Sequence, residues 1–218
     1  MVETATLADT WQYKVGTDIC GDFFHEMIRR FPAPIPADAH VLEVGCAEFD
    51  WLSTAKASWP GMQLTGIDAR PQPQRPGVTV LAGDAMNPRN FAPESFDWIV
   101  SVSAIEHIGL GHYGDPVRPE GDSVVLANMH RWLKPGGWLA FDVPYQPGPN
   151  GYLVDGTRTR IYDDATVQSR LHQGLWHEAW SGVVYLMQPY KLLTDPEPVP
   201  HIHKYDMYVR GQWWQKRS

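Results

Sequence analysis

The stretch VLEVGCAEFD, residues 41–50, contains the turn that decides the fold of this chain. Residues 40–46 (HVLEVGC) are a short apolar run, which predicts a buried strand that ends in a turn at Gly45. Residues 50–60 (DWLSTAKASWP) then predict a helix, with Asp50 placed to cap its first turn. A strand, a glycine turn and a helix in this order indicate an α/β protein.

The same alternation continues towards the C-terminus. A helix is predicted over residues 121–134 (GDSVVLANMHRWLK), and four further strands over MQLTGIDA (62–69), VTVLAGDA (78–85), FDWIVSVSA (96–104) and WLAFDVPY (138–145). The three prolines of RPQPQRPG (70–77) exclude a regular crossover helix there. This order predicts a Rossmann-like, doubly wound and mostly parallel sheet.

The two ends of the chain extend this core. Residues 17–31 predict an N-terminal helix, and residues 163–174 predict a helix capped by Asp163 or Asp164. Residues 175–187 and 203–214 predict two more strands that pair with each other. We therefore expect seven strands, with an antiparallel strand at the C-terminus.

Composition limits the class of partner. The net charge is −7 and the pI is about 5.7, so the molecule as a whole does not attract nucleic acid. Two cysteines are too few for a disulfide framework, which favours a reducing, cytoplasmic setting. No apolar stretch approaches transmembrane length and the N-terminus lacks a signal-peptide pattern, so we expect no membrane partner.

Acidic residues mark the carboxyl ends of the first two strands. Glu43 lies inside the first strand, and Asp68 ends the second, 23 residues after Gly45. A spacing of about 20 is typical of a carboxylate that binds ribose hydroxyls in a dinucleotide-type fold. However, the loop has one glycine and two acids, Glu48 and Asp50, where a diphosphate would need G-x-G-x-x-G. Acids here tolerate a cationic sulfonium ligand, which favours S-adenosylmethionine.

Five stretches resemble the motifs of class I S-adenosylmethionine-dependent methyltransferases. They are VLEVGCAEF, LTGIDA, LAGDAMN, FDWIVSVSAIEHI and LKPGGWLAFDVP, in the family's order. The resemblance implies one methyltransferase domain over residues 1–218. Within it, residues 1–39 would be an N-terminal helical region and residues 40–145 the cofactor-binding core. Residues 146–218 would supply the acceptor-side loop, helix and terminal strands.

The resemblance also assigns cofactor contacts. Glu43 and Gly45 would lie under the methionine end, Asp68 would bind the ribose, and Asp84 would accept from the adenine amino group. The full set expected to contact S-adenosylmethionine is Glu43, Gly45, Cys46, Ala47, Asp68, Ala69, Asp84, Ala85 and Ser103.

The stretch IEHIGLGHYGD, residues 105–115, leaves the fourth strand beside the expected sulfonium. His107 is the predicted general base, with Glu106 as its catalytic partner; the alternative is a histidine that packs under the loop. His112, Tyr113 and Asp115 are second choices for the general base, and His112 and Tyr113 are also predicted to contact the acceptor. The spacing matches no specific metal motif, so we predict no metal site, with Mg²⁺ left open.

Residues 155–164 (DGTRTRIYDD) contain the other acceptor candidates. Arg158, Arg160 and Tyr162 are predicted to hold an anionic or polyhydroxylated acceptor, the alternative being a packing motif at a helix entry. Residues 145–160 are a candidate lid.

The favoured function is O-methylation of a small molecule or glycan, as in natural product or glycan modification. N-methylation of a small molecule is the nearest variant. The second alternative is a methyltransferase-fold binding or scaffold protein, because Ala47 and Phe49 replace glycines of the first motif. A homodimer is one possible assembly.

Overall fold

A computed structural model describes residues 24, 27–28, 31, 36–47, 51–147, 153–155, 159–185, 192–193 and 208–217. The predicted N-terminal helix falls largely outside these residues. Phe24, Met27 and Ile28 are helical and buried. Among the residues described, no helix is long and apolar enough to span a membrane.

Five parallel strands form the first part of the sheet. They are β1 (His40–Val44), β2 (Gln63–Asp68), β3 (Val78–Ala82), β4 (Phe96–Ser101) and β5 (Leu133–Tyr145). Their spatial order is β3-β2-β1-β4-β5. The sheet order reverses direction between β1 and β4, and in open α/β sheets such a switch point opens a crevice at the carboxyl ends of the strands.

Antiparallel strands complete the sheet. β8 (Trp176–Tyr185) and β10 (Tyr208–Lys216) pair antiparallel, and β10 also pairs antiparallel with β5. The predicted α/β sheet, mostly parallel and with an antiparallel C-terminal strand, is therefore confirmed. The two-residue strand β9 (Leu192–Leu193) adds an eighth member at the edge beyond β8. A separate antiparallel pair comprises β6 (Leu153–Asp155) and β7 (Thr159–Ile161).

The helices connect and cover the strands. α1 spans Trp51–Ser58, α2 spans Gly121–Trp132, and α3 spans Asp164–Thr166, after which Val167–His172 form a π-helical turn. Asp163 caps α3 through a reciprocal pair of bonds with Thr166. α2 ends two residues earlier than predicted, because Pro135 disfavours a helical conformation at the residue before it. Residues 69–77 contain no helix, as the prolines predict.

Alternate residues of the strands pack into two cores, one on each face of the sheet. One core includes Val41, Trp98 and Trp213, and the indole rings of Trp98 and Trp213 stack with their centroids 5.5 Å apart. The other includes Leu42, Trp132, Trp176 and Trp214. These tryptophans have 0% exposure, so they supply much of the packing on the two faces of the sheet.

Candidate functional site

A cleft lies at the carboxyl ends of β1 to β4. Its walls are the segments that follow these strands, namely Gly45, residues 68–70, residues 83–85, residues 102–104 and part of the loop 105–115. Ligands of open α/β sheets bind in this position. Of the nine residues predicted to contact the cofactor, six line the cleft: Gly45, Asp68, Ala69, Asp84, Ala85 and Ser103.

The turn at Gly45 brings two loops into close approach. Gly45 has φ +85°, and a Cβ added to it would lie 2.3 Å from the Cβ of Ala104. Its N–H donates to the carbonyl of Ile67 at 2.8 Å. Only glycine tolerates both this positive φ and this close approach to Ala104. The backbone of the predicted glycine turn therefore lies directly at the cleft wall.

The other three predicted cofactor residues lie behind or beside this wall. Glu43 is fully buried in β1, and Cys46 packs in the core. Burial, with help from the Glu43 and Asp68 carboxylates, raises the pKa of the Cys46 thiol to about 12, so the thiol stays neutral. Ala47 is half-buried and is not among the residues of the cleft wall.

Asp68 ends β2 and is held at the edge of the cleft. Its Oδ1 accepts from the backbone N–H of Arg70 at 2.9 Å and from the Nε of Arg70 at 3.2 Å. The guanidinium of Arg70 also lies 4.0 Å from the ring centroid of Tyr113, on the opposite loop. Arg70 was not predicted as a site residue; its only signal in the sequence is its position two residues after the predicted ribose-binding acid.

The turn after β3 carries Asp84 and Ala85 into the cleft. The Oδ1 of Asp84 accepts from the N–H of Met86 at 2.8 Å, so this aspartate also caps its own turn. Asn128 of α2 donates to the carbonyl of Ala85 at 2.9 Å. These bonds hold the two residues in place without a ligand.

Ser103 follows β4 in a left-handed conformation, with φ 46°. Its N–H donates to the Oδ1 of Asp142 at 2.5 Å, and its hydroxyl donates to the Oδ2 at 3.3 Å. Asp142 is fully buried in β5; burial and the nearby Glu106 carboxylate raise its pKa to about 7. Asp142 was not predicted as a site residue, although an acid inside the apolar strand WLAFDVPY is a visible signal in the sequence.

The loop 105–115 is organised by Asp115. The Oδ2 of Asp115 accepts from the N–H of Gly109 at 2.6 Å and of Gly111 at 3.4 Å, and its Oδ1 accepts from the N–H of Tyr113 at 3.3 Å. Asp115 lies at the cleft, but these bonds show a carboxylate that shapes the loop.

His107 lines the cleft, with 19% of its side chain exposed. Its Nε2 lies 3.8 Å from the Oε1 of Glu106, which is buried behind it. Burial raises the pKa of Glu106 to about 8, against the opposing effect of the Arg160 charge. Tyr113 also lines the cleft, with its ring centroid 5.5 Å from that of His107, whereas His112 is exposed and lies off the wall.

Of the acceptor residues predicted in DGTRTRIYDD, the two that the structure describes, Arg160 and Tyr162, do not line the cleft. Arg158 lies outside the described residues. Arg160 and Tyr162 have 0% exposure, and the Tyr162 hydroxyl donates to the buried Asp122 at 3.0 Å. Both side chains are enclosed and neither lines the cleft, so their contact with an acceptor stays a prediction.

Metal ligands do not cluster in the part of the chain that the structure describes. No group of three or more His, Cys, Asp or Glu side chains in those residues is placed to hold an ion. His201 and His203 lie outside the described residues.

A family model and a curated protein each match part of this chain. A family model described as "Caenorhabditis protein of unknown function, DUF268" matches residues 80–171, which are less than half of the chain. Methyltransferase str3 of Strobilurus tenacellus is 25% identical over 114 residues, which are 51% of this chain and 37% of that protein. The chain thus matches little more than a third of the length of this curated relative.

Three solved structures share the architecture. The 1,6-didemethyltoxoflavin-N1-methyltransferase of Burkholderia thailandensis has a TM-score of 0.61 at 15% identity, over 91% of this chain and 77% of that chain. The N-methyltransferase NodS of Bradyrhizobium japonicum WM9 has a TM-score of 0.57 at 17% identity, over 98% and 95%. The [4+2]-cyclase SpnF has a TM-score of 0.63 at 17% identity, over 95% and 86%.

The sheet order and these neighbours define the fold. The chain has the fold of the class I S-adenosylmethionine-dependent methyltransferases, which confirms the resemblance in the sequence.

Proposed function

We propose that this chain is an S-adenosylmethionine-dependent methyltransferase that acts on a small molecule or glycan, by O-methylation with His107 as the general base. The observation that carries the proposal is that His107 lines the same cleft as Gly45, Asp68 and Asp84. In this proposal residues 1–218 act as one domain, in which residues 40–145 hold the cofactor and residues 146–218 contribute to the acceptor side.

The charges of the cleft suit this cofactor. Three carboxylates, of Asp68, Asp84 and Asp115, lie on the wall, and the guanidinium of Arg70 is bonded to one of them. S-adenosylmethionine carries a sulfonium and an ammonium group, which such a wall favours, whereas the diphosphate of a dinucleotide would meet anions. The glycine at position 45 lets the backbone of this turn lie against Ala104 at the cleft wall, where a side chain would clash.

Different residues of the cleft would bind different parts of the cofactor. We assign the ribose hydroxyls to the carboxylate of Asp68, and the adenine to Asp84 with the N–H of Ala85. Bound S-adenosylmethionine supplies an electrophilic methyl group on its sulfonium. The fixed turns at these residues would hold acceptor and cofactor in line, which accounts for much of the rate of such a displacement.

His107 would accept the proton that a hydroxyl acceptor loses. Because burial raises the pKa of Glu106 to about 8, this carboxyl is largely protonated at neutral pH. Glu106 is 3% exposed and does not line the cleft. We therefore assign Glu106 the orientation of the imidazole and leave proton acceptance to His107.

N-methylation is the second candidate. Two of the similar structures are named N-methyltransferases, that of Burkholderia thailandensis and NodS. A neutral amine has no proton to lose before the transfer, so an amine acceptor would make little use of His107.

Loss of methyl transfer is the other alternative. SpnF, with the same fold, is named a [4+2]-cyclase, so the fold alone does not fix the reaction. Ala47, which replaces a glycine of the first motif, also favours this alternative. Phe49, the other such replacement, lies outside the described residues.

The test is transfer of a labelled methyl group from S-adenosylmethionine to a panel of hydroxyl, amine and glycan acceptors. We expect His107→Gln to slow transfer to a hydroxyl by about 100-fold or more, as loss of a general base does. The matched control is His177→Gln, on the exposed part of β8, which should match the wild type. Transfer to amines that ignores His107→Gln would favour N-methylation, and binding without transfer to any acceptor would favour the binding protein.

A further inference from the structure

Arg160 is a fully buried cation directly behind the loop that carries His107. It lies on β7 and has 0% exposure. A buried guanidinium is costly unless its donors and its charge are matched, so its partners indicate what it does.

The donors of Arg160 bind the peptide groups on both sides of His107. Its Nη1 donates to the carbonyl of Ile108 at 2.5 Å and to that of Glu106 at 3.4 Å. Its backbone N–H donates to the same Glu106 carbonyl at 3.1 Å. One residue thus fixes the chain immediately before and immediately after the imidazole.

A second set of hydrogen bonds holds residues 118 and 119, which follow this loop and precede α2. The Nη2 of Arg160 donates to the carbonyl of Pro119 at 3.2 Å and to that of Arg118 at 3.5 Å. The planar fork of a guanidinium reaches both ends at once, which a lysine ammonium cannot do.

The charge of Arg160 is anchored to α2. Its Nε lies 3.8 Å from the Oδ2 of Asp122, and both side chains have 0% exposure. Asp122 also accepts from the Nε of Arg170 at 2.9 Å and from the Tyr162 hydroxyl. The guanidinium is therefore held against the helix, and the loop is held against the guanidinium.

We infer that Arg160 is a positioning residue, which sets the place of His107 from outside the cleft by binding the carbonyls of Glu106 and Ile108. This inference rests on the proposed function, because the role of His107 in the reaction is proposed there.

Three variants of the full chain separate this role from a general contribution to stability. Arg160→Met removes the fork and the charge, and Arg160→Lys keeps a charge opposite Asp122 but loses the fork. Arg170→Met is the matched control, because Arg170 shares the partners Asp122 and the Pro119 carbonyl while its described bonds do not flank His107.

Two measurements report on the loop, and a thermal melt reports on overall stability. The first is the ring resonance of His107 by NMR, assigned with His107→Gln. The second is hydrogen exchange of residues 104–115, with β4 as the internal reference. Loss of two hydrogen bonds to the loop should speed its exchange by about tenfold or more.

We expect Arg160→Met and Arg160→Lys to displace the His107 resonance and to speed exchange in the loop. Arg160→Lys and Arg170→Met should both lower the melting temperature, since each removes hydrogen bonds to buried or half-buried partners, but only Arg160→Lys should displace His107. If Arg160→Met does not fold, the comparison of Arg160→Lys with Arg170→Met in the same two loop measurements tests the inference. The inference is overturned if loop exchange merely follows melting temperature in all variants, or if Arg170→Met displaces His107 equally.

Titration of the wild type with S-adenosylhomocysteine tests the proposed function independently of the role of Arg160. Failure to bind would count against the proposed function, while the NMR and exchange results would still decide whether Arg160 holds the loop.

Discussion

The Nε2 of His107 lies 3.8 Å from the Oε1 of Glu106, so a half-buried imidazole at the cleft has a buried carboxyl behind it. The Glu106 side chain is only 4% exposed, against 19% for His107. A neutral carboxyl in this position adds no full charge beside the cleft. The protonation of Glu106 should therefore affect the stability of the fold.

Stability should fall as pH rises from about 5 to 8. Glu106 ionises near its ordinary pKa of 4.5 in the unfolded chain, whereas burial raises its folded-state pKa to about 8. Between these values the folded state holds the extra proton, so the free energy of unfolding falls by up to about 1.4 kcal/mol per pH unit. Asp142, whose pKa rises from 3.8 to about 7, acts in the same direction at lower pH.

Glu106→Gln tests this linkage by urea unfolding at pH 5, 6, 7 and 8. The variant should show a shallower loss of stability across this range, because its amide does not ionise. Glu94→Gln makes the same chemical change at a site that is 57% exposed and should keep the wild-type slope. An unchanged slope in Glu106→Gln would show that Glu106 does not retain its proton in the folded chain.

Gly45→Ala should destabilise the chain and weaken cofactor binding. Gly114 has nearly the same φ, +83°, but nothing lies within 4 Å of an added Cβ, whereas at Gly45 that atom would meet Ala104. Gly114→Ala should therefore cost only the backbone strain, about 1–2 kcal/mol. Urea unfolding measures both variants, and equal losses would mean that the contact of Gly45 with Ala104 has no consequence.

Asp115→Ala should loosen the loop that carries His107. The carboxylate accepts from the N–H groups of Gly109, Gly111 and Tyr113, and the variant leaves these donors without it. We expect a loss of about 2–3 kcal/mol in the free energy of unfolding. Asp38→Ala, at an exposed turn, should change stability little. A loss no larger than that of Asp38→Ala would contradict this role for Asp115.

The fold was predictable because local patterns determine it. Apolar runs that end at Gly45, Asp68 and Asp84 mark buried parallel strands, and the prolines after Asp68 exclude a helix. The turns at the carboxyl ends of these strands follow from the strand order. Six of the predicted cofactor residues line the cleft for this reason.

Contacts between distant parts of the chain could not be predicted from the sequence. A charged side chain in a loop predicts exposure, yet Arg160 is buried. Four backbone carbonyls accept from its guanidinium and the Asp122 carboxylate lies 3.8 Å from its Nε, all 38 or more positions away along the chain. The contact of Arg70 with Tyr113 also joins separate loops, and periodicity gives no sign of such pairs.

Calorimetric titration with S-adenosylhomocysteine tests the central claim, a cleft built for an adenosyl sulfonium cofactor, most directly. The wild type should bind it and not NAD. Asp68→Asn should weaken binding by about tenfold or more, since a charge-assisted hydrogen bond is lost. Asp38→Asn, at the exposed turn, should bind as the wild type does. Binding of NAD in place of S-adenosylhomocysteine, or equal affinity in Asp68→Asn, would contradict the account.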